Sequence, residues 1–175
     1  MEETMFNYRK LGELINNRTA KIAIWGCGFV GTTNIFYLVK EGFQCVGIDI
    51  NTKRVKEIKD GIYNINSDER TIGEIDQKEK ERFIVTDDYM IEPVYECSIH
   101  MLCLPTEKNF QPTRDYVEDV VGKIASMKLR NILVIIESSM PPRYIDESII
   151  NIFTQKGMKE YEDYVIGAAP RRDLF

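Results

Sequence analysis

The sequence predicts a doubly wound α/β fold, in which a mostly parallel sheet is covered by helices on both faces. Short apolar runs alternate with segments of helical periodicity along most of the chain. The run over residues 131–136 is almost continuously hydrophobic, as a strand buried on both faces requires. The chain has 175 residues, 43% of them hydrophobic, and no glycine-serine or proline-rich linker, so it suits a single domain with a sizeable core.

The first half of the chain follows this alternation. Apolar residues recur at helical spacing over 5–17, which predicts an opening helix within an N-terminal segment (1–18) packed on the main domain (19–175). Gly42 and Gly61 can end the helices after the first two strands, and Asn51 can cap the second of these helices. The elements predicted after the opening helix are a strand over 21–25, a helix over 32–41, a strand over 44–48, a helix over 51–60, a helix over 69–81 and a strand over 82–85.

The second half repeats the pattern. Pro141-Pro142 should open a helix, because proline suits the first helical turn. The predicted elements are a short helix over 88–92, a strand over 98–104, a helix over 115–127, a strand over 131–136, a helix from 141 to about 154 and a strand over 164–166. We expect the strand order 3-2-1-4-5-6, with a ligand crevice at the carboxyl ends of the strands.

A glycine-rich turn joins the first strand to the next helix. Gly26, Gly28 and Gly31 have the spacing G-x-G-x-x-G, with Phe29 and Val30 between the last two. In a Rossmann-type fold the first two glycines let the backbone turn and approach a pyrophosphate, and the third lets the helix pack on the sheet. The phosphates then lie at a helix N-terminus, where N–H groups favour anions. The turn predicts a dinucleotide site, with an unliganded βα turn as the alternative.

Asp49 ends the second strand, near the distance at which an acid binds a ribose hydroxyl. A carboxylate there accepts hydrogen bonds from an unphosphorylated ribose and repels a 2′-phosphate. The sequence therefore favours NAD over NADP, although Lys53 and Arg54 follow closely on the next helix.

Composition further limits the partners and the kinds of site that this protein can have. The net charge of -5 and the pI near 5.1 argue against a nucleic-acid partner. The absence of a long apolar run and of a signal-peptide pattern predicts a soluble, cytoplasmic protein with no membrane partner. Four cysteines without CxxC spacing should be reduced core thiols, and a single histidine, His100, in an apolar run indicates a structural residue rather than a metal ligand.

Two further motifs follow later strands. Leu104-Pro105-Thr106 ends the fourth strand, and Glu137-Ser138-Ser139-Met140-Pro141-Pro142 ends the fifth. From Lys21 onward the chain resembles the N-terminal NAD-binding domain of the UDP-glucose/GDP-mannose dehydrogenase family, the nucleotide-sugar 6-dehydrogenases, which has Pro-Thr and Glu-Ser-Thr-x-Pro-Pro at these places. The polar groups on 137–139 should face the crevice; the alternative is that they only cap the next helix.

The resemblance implies an oxidoreductase in which NAD accepts two hydrides in succession from C6 of a nucleotide sugar, while a cysteine traps the aldehyde on the way to a carboxylate. It places Ser139 where a family threonine helps hold the catalytic water, Arg54 near the adenosine end of the cofactor and Thr106 beside the nicotinamide. Motifs and resemblance together assign the cofactor contacts to Gly26, Gly28, Phe29, Val30, Gly31, Asp49, Arg54, Leu104, Pro105, Thr106, Glu137 and Ser138.

The chain also departs from the family. Ala169-Pro170-Arg171-Arg172 stands where the family has Pro-Glu-Arg, so a cation replaces an acid that contributes to acid-base work. The segment Ser67-Asp68-Glu69 replaces a Glu-Pro-Gly segment. The domain that would carry the nucleophilic cysteine and bind the nucleotide sugar is missing from the sequence. We therefore expect a cofactor-binding piece that is inactive alone and can be monomeric, from a homodimeric full-length enzyme.

Two other classes stay open at this point. One is a different enzyme on a similar sheet, such as a hydroxyacid dehydrogenase or a methyltransferase. The other is a stand-alone NAD-sensing or interaction module, in which Arg171 and Arg172 contact an anionic partner rather than form a solvated loop.

Overall fold

The computed structural model describes residues 5–63 and 75–170. The strands are β1 (Lys21–Trp25), β2 (Gln44–Ile48), β3 (Phe83–Thr86), β4 (Ile99–Leu102), β5 (Glu107–Lys108), β6 (Gln111–Pro112), β7 (Ile132–Ile136) and β8 (Tyr164–Ala168). Six of them form one sheet in the order β3-β2-β1-β4-β7-β8, with every pair parallel. This confirms the doubly wound α/β class and the predicted strand order.

Helices cover both faces of the sheet. They are α1 (Tyr8–Asn16), α2 (Phe29–Lys40), α3 (Thr52–Lys59), α4 (Gln77–Lys80), α5 (Glu92–Tyr95), α6 (Asp115–Ser126) and α7 (Ile150–Gln155), the last preceded by a π-helical segment over Ile145–Ile149. Asn51 caps α3 by accepting a hydrogen bond from the backbone N–H of Arg54, as predicted. None of the helices in the described ranges is long and apolar enough to cross a membrane.

Two hydrophobic cores lie on opposite faces of the sheet, because side chains alternate along each strand. In β1, Ala23 and Trp25 enter the core beneath α6 and α7, whereas Ile22 and Ile24 enter the core beneath α1, α2 and α3. Phe6, just before α1, is buried in the second core. Leu11 of α1 is buried in the same core, so this helix packs on the sheet.

Apart from small shifts at the ends of elements, two local predictions differ from the structure and one element was not predicted. The short helix begins at Glu92 instead of 88, because the Asp88 carboxylate accepts a hydrogen bond from the Met90 N–H and forms a turn. The helix expected from Pro141 begins only after Arg143, whose left-handed φ of 65° interrupts any helical run. The hairpin of β5 and β6 was not predicted. Of the helix predicted over 69–81, residues 69–74 lie outside the described ranges.

Candidate functional site

The strand order reverses between β1 and β4. In doubly wound sheets the ligand crevice lies at this point, at the carboxyl ends of the strands. The strand pairing continues one residue beyond the strands, since the Gly26 N–H donates to the Ile48 carbonyl and the Cys103 N–H donates to the Trp25 carbonyl. The loops after β1, β2, β4 and β7 are therefore held side by side at this edge. These are four of the loops that the sequence singles out.

The three glycines of the first loop have different physical roles. A Cβ at Gly26, where φ is +92°, would collide with the Cys103 carbonyl oxygen. A Cβ at Gly31 would collide with the Gly26 carbonyl oxygen and lie 3.2 Å from Cγ2 of Ile24. A Cβ at Gly28 would meet nothing within 4 Å. Gly26 and Gly31 are thus required by packing, whereas Gly28 leaves open space that a ligand can approach.

Helix α2 begins directly behind this open space. Gly28 is its N-cap residue, so no side chain caps the helix, and its first turn contains no acidic residue. The positive end of the helix dipole therefore faces the crevice without a carboxylate in the first turn of the helix itself. Phe29 and Val30, both predicted to contact cofactor, are the first two residues of α2. This end of the helix can bind a pyrophosphate.

Asp49 lies beside the glycine loop and supports it. Its Oδ2 accepts a hydrogen bond from the Cys27 N–H at 2.7 Å, and its Oδ1 accepts one from the Asn51 N–H at 2.8 Å. The carboxylate is half-buried, and each oxygen keeps a lone pair for a further donor. Asp49 can therefore hold the loop and accept from ribose hydroxyls at the same time.

Arg54 lies beneath the loop rather than on the surface of α3, with 6% of its area exposed. Its Nε donates to the Cys27 carbonyl at 3.0 Å, and its terminal nitrogens donate to Oγ1 of Thr32 and to the carbonyls of Ile62 and Tyr63. The guanidinium thus joins the glycine loop to the end of α3. Its predicted contact with the adenosine end of a cofactor stays a prediction.

At the ends of β4 and β7, Ser138 is a structural bridge. Its buried hydroxyl accepts from the Leu104 N–H at 3.0 Å and donates to the Leu104 carbonyl at 2.7 Å. The Thr106 carbonyl also accepts a hydrogen bond from the Thr113 N–H. The Ser138 side chain therefore positions the Pro105-Thr106 loop. Ser139, the next residue along the chain, is exposed and accessible.

Sequence reasoning missed the partners of Glu137. Nδ2 of Asn34, on α2, donates to Oε2 of Glu137 at 2.6 Å, and the Cys103 thiol approaches the same oxygen at 3.7 Å. Nδ2 of Asn34 also lies 3.4 Å from the Cys103 sulfur. Asn34, a polar residue in the otherwise apolar helix after the glycine loop, was the signal that the sequence offered. It does not indicate Glu137 as the partner, because the two residues are 103 positions apart.

His100 and Trp25 form a buried pair behind the crevice. The Trp25 indole Nε1–H donates to Nδ1 of His100 at 3.1 Å. Burial lowers the pKa of His100 to about 4, and the ring is fully inaccessible. His100 is therefore a neutral core residue, as its apolar neighbours in sequence predicted. No group of three or more His, Cys, Asp or Glu residues that could hold a metal occurs within 5–63 and 75–170.

The parallel sheet, the glycine turn with its open second glycine and the acid that follows β2 are the features of a dinucleotide-binding domain. The sequence model of the family described as "UDP-glucose/GDP-mannose dehydrogenase family, NAD binding domain" matches residues 20–173 of this chain. The chain belongs to this family, and its cofactor is NAD. The substituted segments at 67–69 and 171–172 lie outside the described residues.

Individual relatives agree with this assignment. The chain is 28% identical to UDP-N-acetyl-D-mannosamine dehydrogenase of Pyrococcus horikoshii over 87% of its own length and 36% of the relative's. It is 29% identical to UDP-N-acetyl-D-glucosamine 6-dehydrogenase of Salmonella typhi over 87% and 35%. The fold matches the structure of NDP-N-acetyl-D-galactosaminuronic acid dehydrogenase from Methanosarcina mazei with a TM-score of 0.77 at 21% identity, covering 94% of this chain and 38% of that one. The chain spans about a third of the length of these proteins.

Proposed function

We propose that this chain is the cofactor-binding domain of an enzyme that uses NAD to oxidise the C6 alcohol of a nucleotide sugar to a carboxylate. The main support for this proposal is the open space next to Gly28, in a chain of this family. This space lies between Asp49 and the N-terminus of α2, which no side chain caps. When bound, NAD supplies the hydride acceptor. The relatives' names favour a UDP-linked sugar as substrate.

Several residues of this chain have proposed roles. The backbone of 28–31 would bind the pyrophosphate, and Asp49 would accept from the adenosine ribose. Ser139, exposed at the end of β7, would orient the catalytic water. We further propose that a second domain binds the nucleotide sugar and that the full-length enzyme is a homodimer. A reducing compartment, the cytoplasm, fits the free cysteines, of which Cys27, Cys45 and Cys97 are buried.

Replacement of Gly28 by alanine tests the cofactor site. The new methyl group would enter the open space and not the protein, so the fold should be kept while the pyrophosphate is obstructed. We expect Gly28→Ala to weaken NAD binding at least about tenfold in calorimetric titration, since a blocked phosphate contact costs on the order of 1.4 kcal/mol or more. The melting temperature without NAD should be unchanged.

Gly122→Ala is the matched control. Gly122 lies on α6, and a Cβ there also meets nothing within 4 Å, so this variant should bind NAD normally. Equal affinity of Gly28→Ala and the unmodified chain would contradict the assigned pyrophosphate site. No heat of binding at millimolar NAD for the folded, unmodified chain would contradict the function itself. Thermal stabilisation by S-adenosylmethionine instead of NAD would favour the methyltransferase alternative.

A further inference from the structure

Two carboxylates, Asp49 and Glu137, flank the crevice, and only Asp49 has so far been matched to a particular group of the cofactor. Asp49 follows β2 and Glu137 follows β7, with β1 and β4 between them. Three strand spacings separate the two positions, or about 14 Å across the sheet. The inference below rests on the proposed NAD site.

Glu137 is held in place, and within the described ranges no direct ion pair neutralises its charge. The hydrogen bond from Asn34 Nδ2 is 2.6 Å long, and the other close polar partner is the Cys103 thiol. Neither partner is a Lys, Arg or His side chain. Within 5–63 and 75–170, no Lys, Arg or His nitrogen lies within 4 Å of the Glu137 carboxylate in an ion pair. The side chain is half-buried, so water screens this charge less than that of a fully exposed acid.

The position of Asp49 sets the direction in which a dinucleotide would lie. With the adenosine ribose at Asp49 and the pyrophosphate at the start of α2, the other half of the cofactor extends toward the ends of β4 and β7. That half contains the nicotinamide ring. Glu137 therefore lies on the nicotinamide side of the crevice, and Asp49 lies on the adenosine side.

The nicotinamide ring carries a positive charge in NAD⁺ and none in NADH, whereas the adenosine and pyrophosphate are the same in both. A fixed carboxylate on the nicotinamide side attracts only the oxidised ring. We propose that Glu137, positioned by Asn34, makes this domain select NAD⁺ over NADH. The selection favours binding of the oxidant and release of the reduced cofactor after hydride transfer.

Calorimetric titration of the chain with NAD⁺ and, separately, with NADH tests the proposal. Glu137→Gln keeps the size of the side chain and an oxygen acceptor for Asn34 but removes the charge. We expect NAD⁺ affinity to fall about fivefold to tenfold with NADH affinity nearly unchanged. The ratio of the dissociation constant for NADH to that for NAD⁺ therefore falls by the same factor. Asn34→Ala leaves the charge but removes its donor, and it should lower the ratio by about twofold to threefold.

Asp49→Asn is the matched control at the other carboxylate. It should weaken NAD⁺ and NADH by the same factor and leave their ratio unchanged, because the ribose it contacts is common to both. An unchanged ratio in Glu137→Gln, with thermal unfolding like that of the unmodified chain, would overturn the proposal while leaving the NAD site intact. Failure of the unmodified chain to bind either form would instead overturn the proposed function.

Discussion

Asp49 shows how one side chain can serve both the fold and a ligand. Its two oxygens accept from the N–H groups of Cys27 and Asn51, so the carboxylate holds the glycine loop even without cofactor. A substitution at Asp49 can weaken binding simply by disturbing the loop. Its effect on the ribose contact must therefore be measured as the difference in affinity between two ligands. NAD and NADP provide that comparison, since they differ by a single phosphate on the adenosine ribose.

Asp49→Asn should weaken NAD about tenfold and weaken NADP less, because a charge-assisted hydrogen bond to the ribose is lost together with the repulsion of a 2′-phosphate. Calorimetric titration with each cofactor measures both effects. Asp119→Asn, at an exposed acid on α6, is the control and should change neither affinity. Equal losses for NAD and NADP in Asp49→Asn would argue that the residue acts only through the loop.

His100 makes stability depend on pH. Burial lowers its pKa from 6.5 to about 4, so between these values the unfolded chain binds a proton that the folded chain excludes. Folding stability is fully present above pH 6.5 and falls as the pH drops toward 4. At pH 5 this residue should cost about 2 kcal/mol relative to pH 7.5.

Urea denaturation at pH 7.5 and pH 5 measures this loss. His100→Gln cannot titrate in this range but keeps an acceptor for the Trp25 indole, so it should lose less stability over the same interval. The carboxylates contribute equally to both proteins and cancel in the comparison. The same pH dependence in both proteins would show that His100 is not its source.

At the scale of single elements, backbone conformation decides where helices end. The residue after α6 and its C-cap, Lys128, is exposed and has a left-handed φ of 56°. Glycine is the usual residue at this position because any Cβ is disfavoured there. The chain therefore carries local strain at this point that a substitution can remove.

Lys128→Gly should raise the free energy of unfolding by about 1 kcal/mol. The matched control is Lys59→Gly at the exposed last residue of α3, where the backbone is helical; this change should lower stability by about 1 kcal/mol. Chemical denaturation measures both. A loss of stability in Lys128→Gly would show that its side chain contributes more than the strain costs.

Element-scale prediction succeeded where periodicity and capping act locally. The bounds predicted for β1 and β2 match the structure, and Asn51 caps α3 as expected. Prediction failed at Arg143, where a non-glycine residue in the left-handed region delays the helix after Pro141-Pro142. It also missed the β5–β6 hairpin, whose turn residues Asn109 and Phe110 both have positive φ. Phenylalanine is not a residue that signals such a turn.

At the scale of the whole molecule, the parallel sheet assembles the site from distant parts of the chain. Residues 26–31, 49, 103–106 and 137–138 meet because β1 lies between β2 and β4, and β7 lies beside β4. The strand order could be predicted from the alternation of strands and helices, since parallel crossovers allow few topologies. The loops that line the crevice could be listed on the same basis.

The fold class, the family, and the glycine and acid positions of the proposed cofactor site can be predicted from the sequence, because periodicity and short motifs depend on neighbouring residues. Which side chains meet across the chain is visible only in the folded molecule. In the fold, Arg54 points inward and donates to a carbonyl of the glycine loop, and Ser138 joins the end of β7 to the end of β4. Asn34 donates to Glu137. The Asn34 and Arg54 contacts depend on how α2 and α3 pack against the sheet, and the Ser138 contact depends on the register of β4 and β7; no local pattern encodes either.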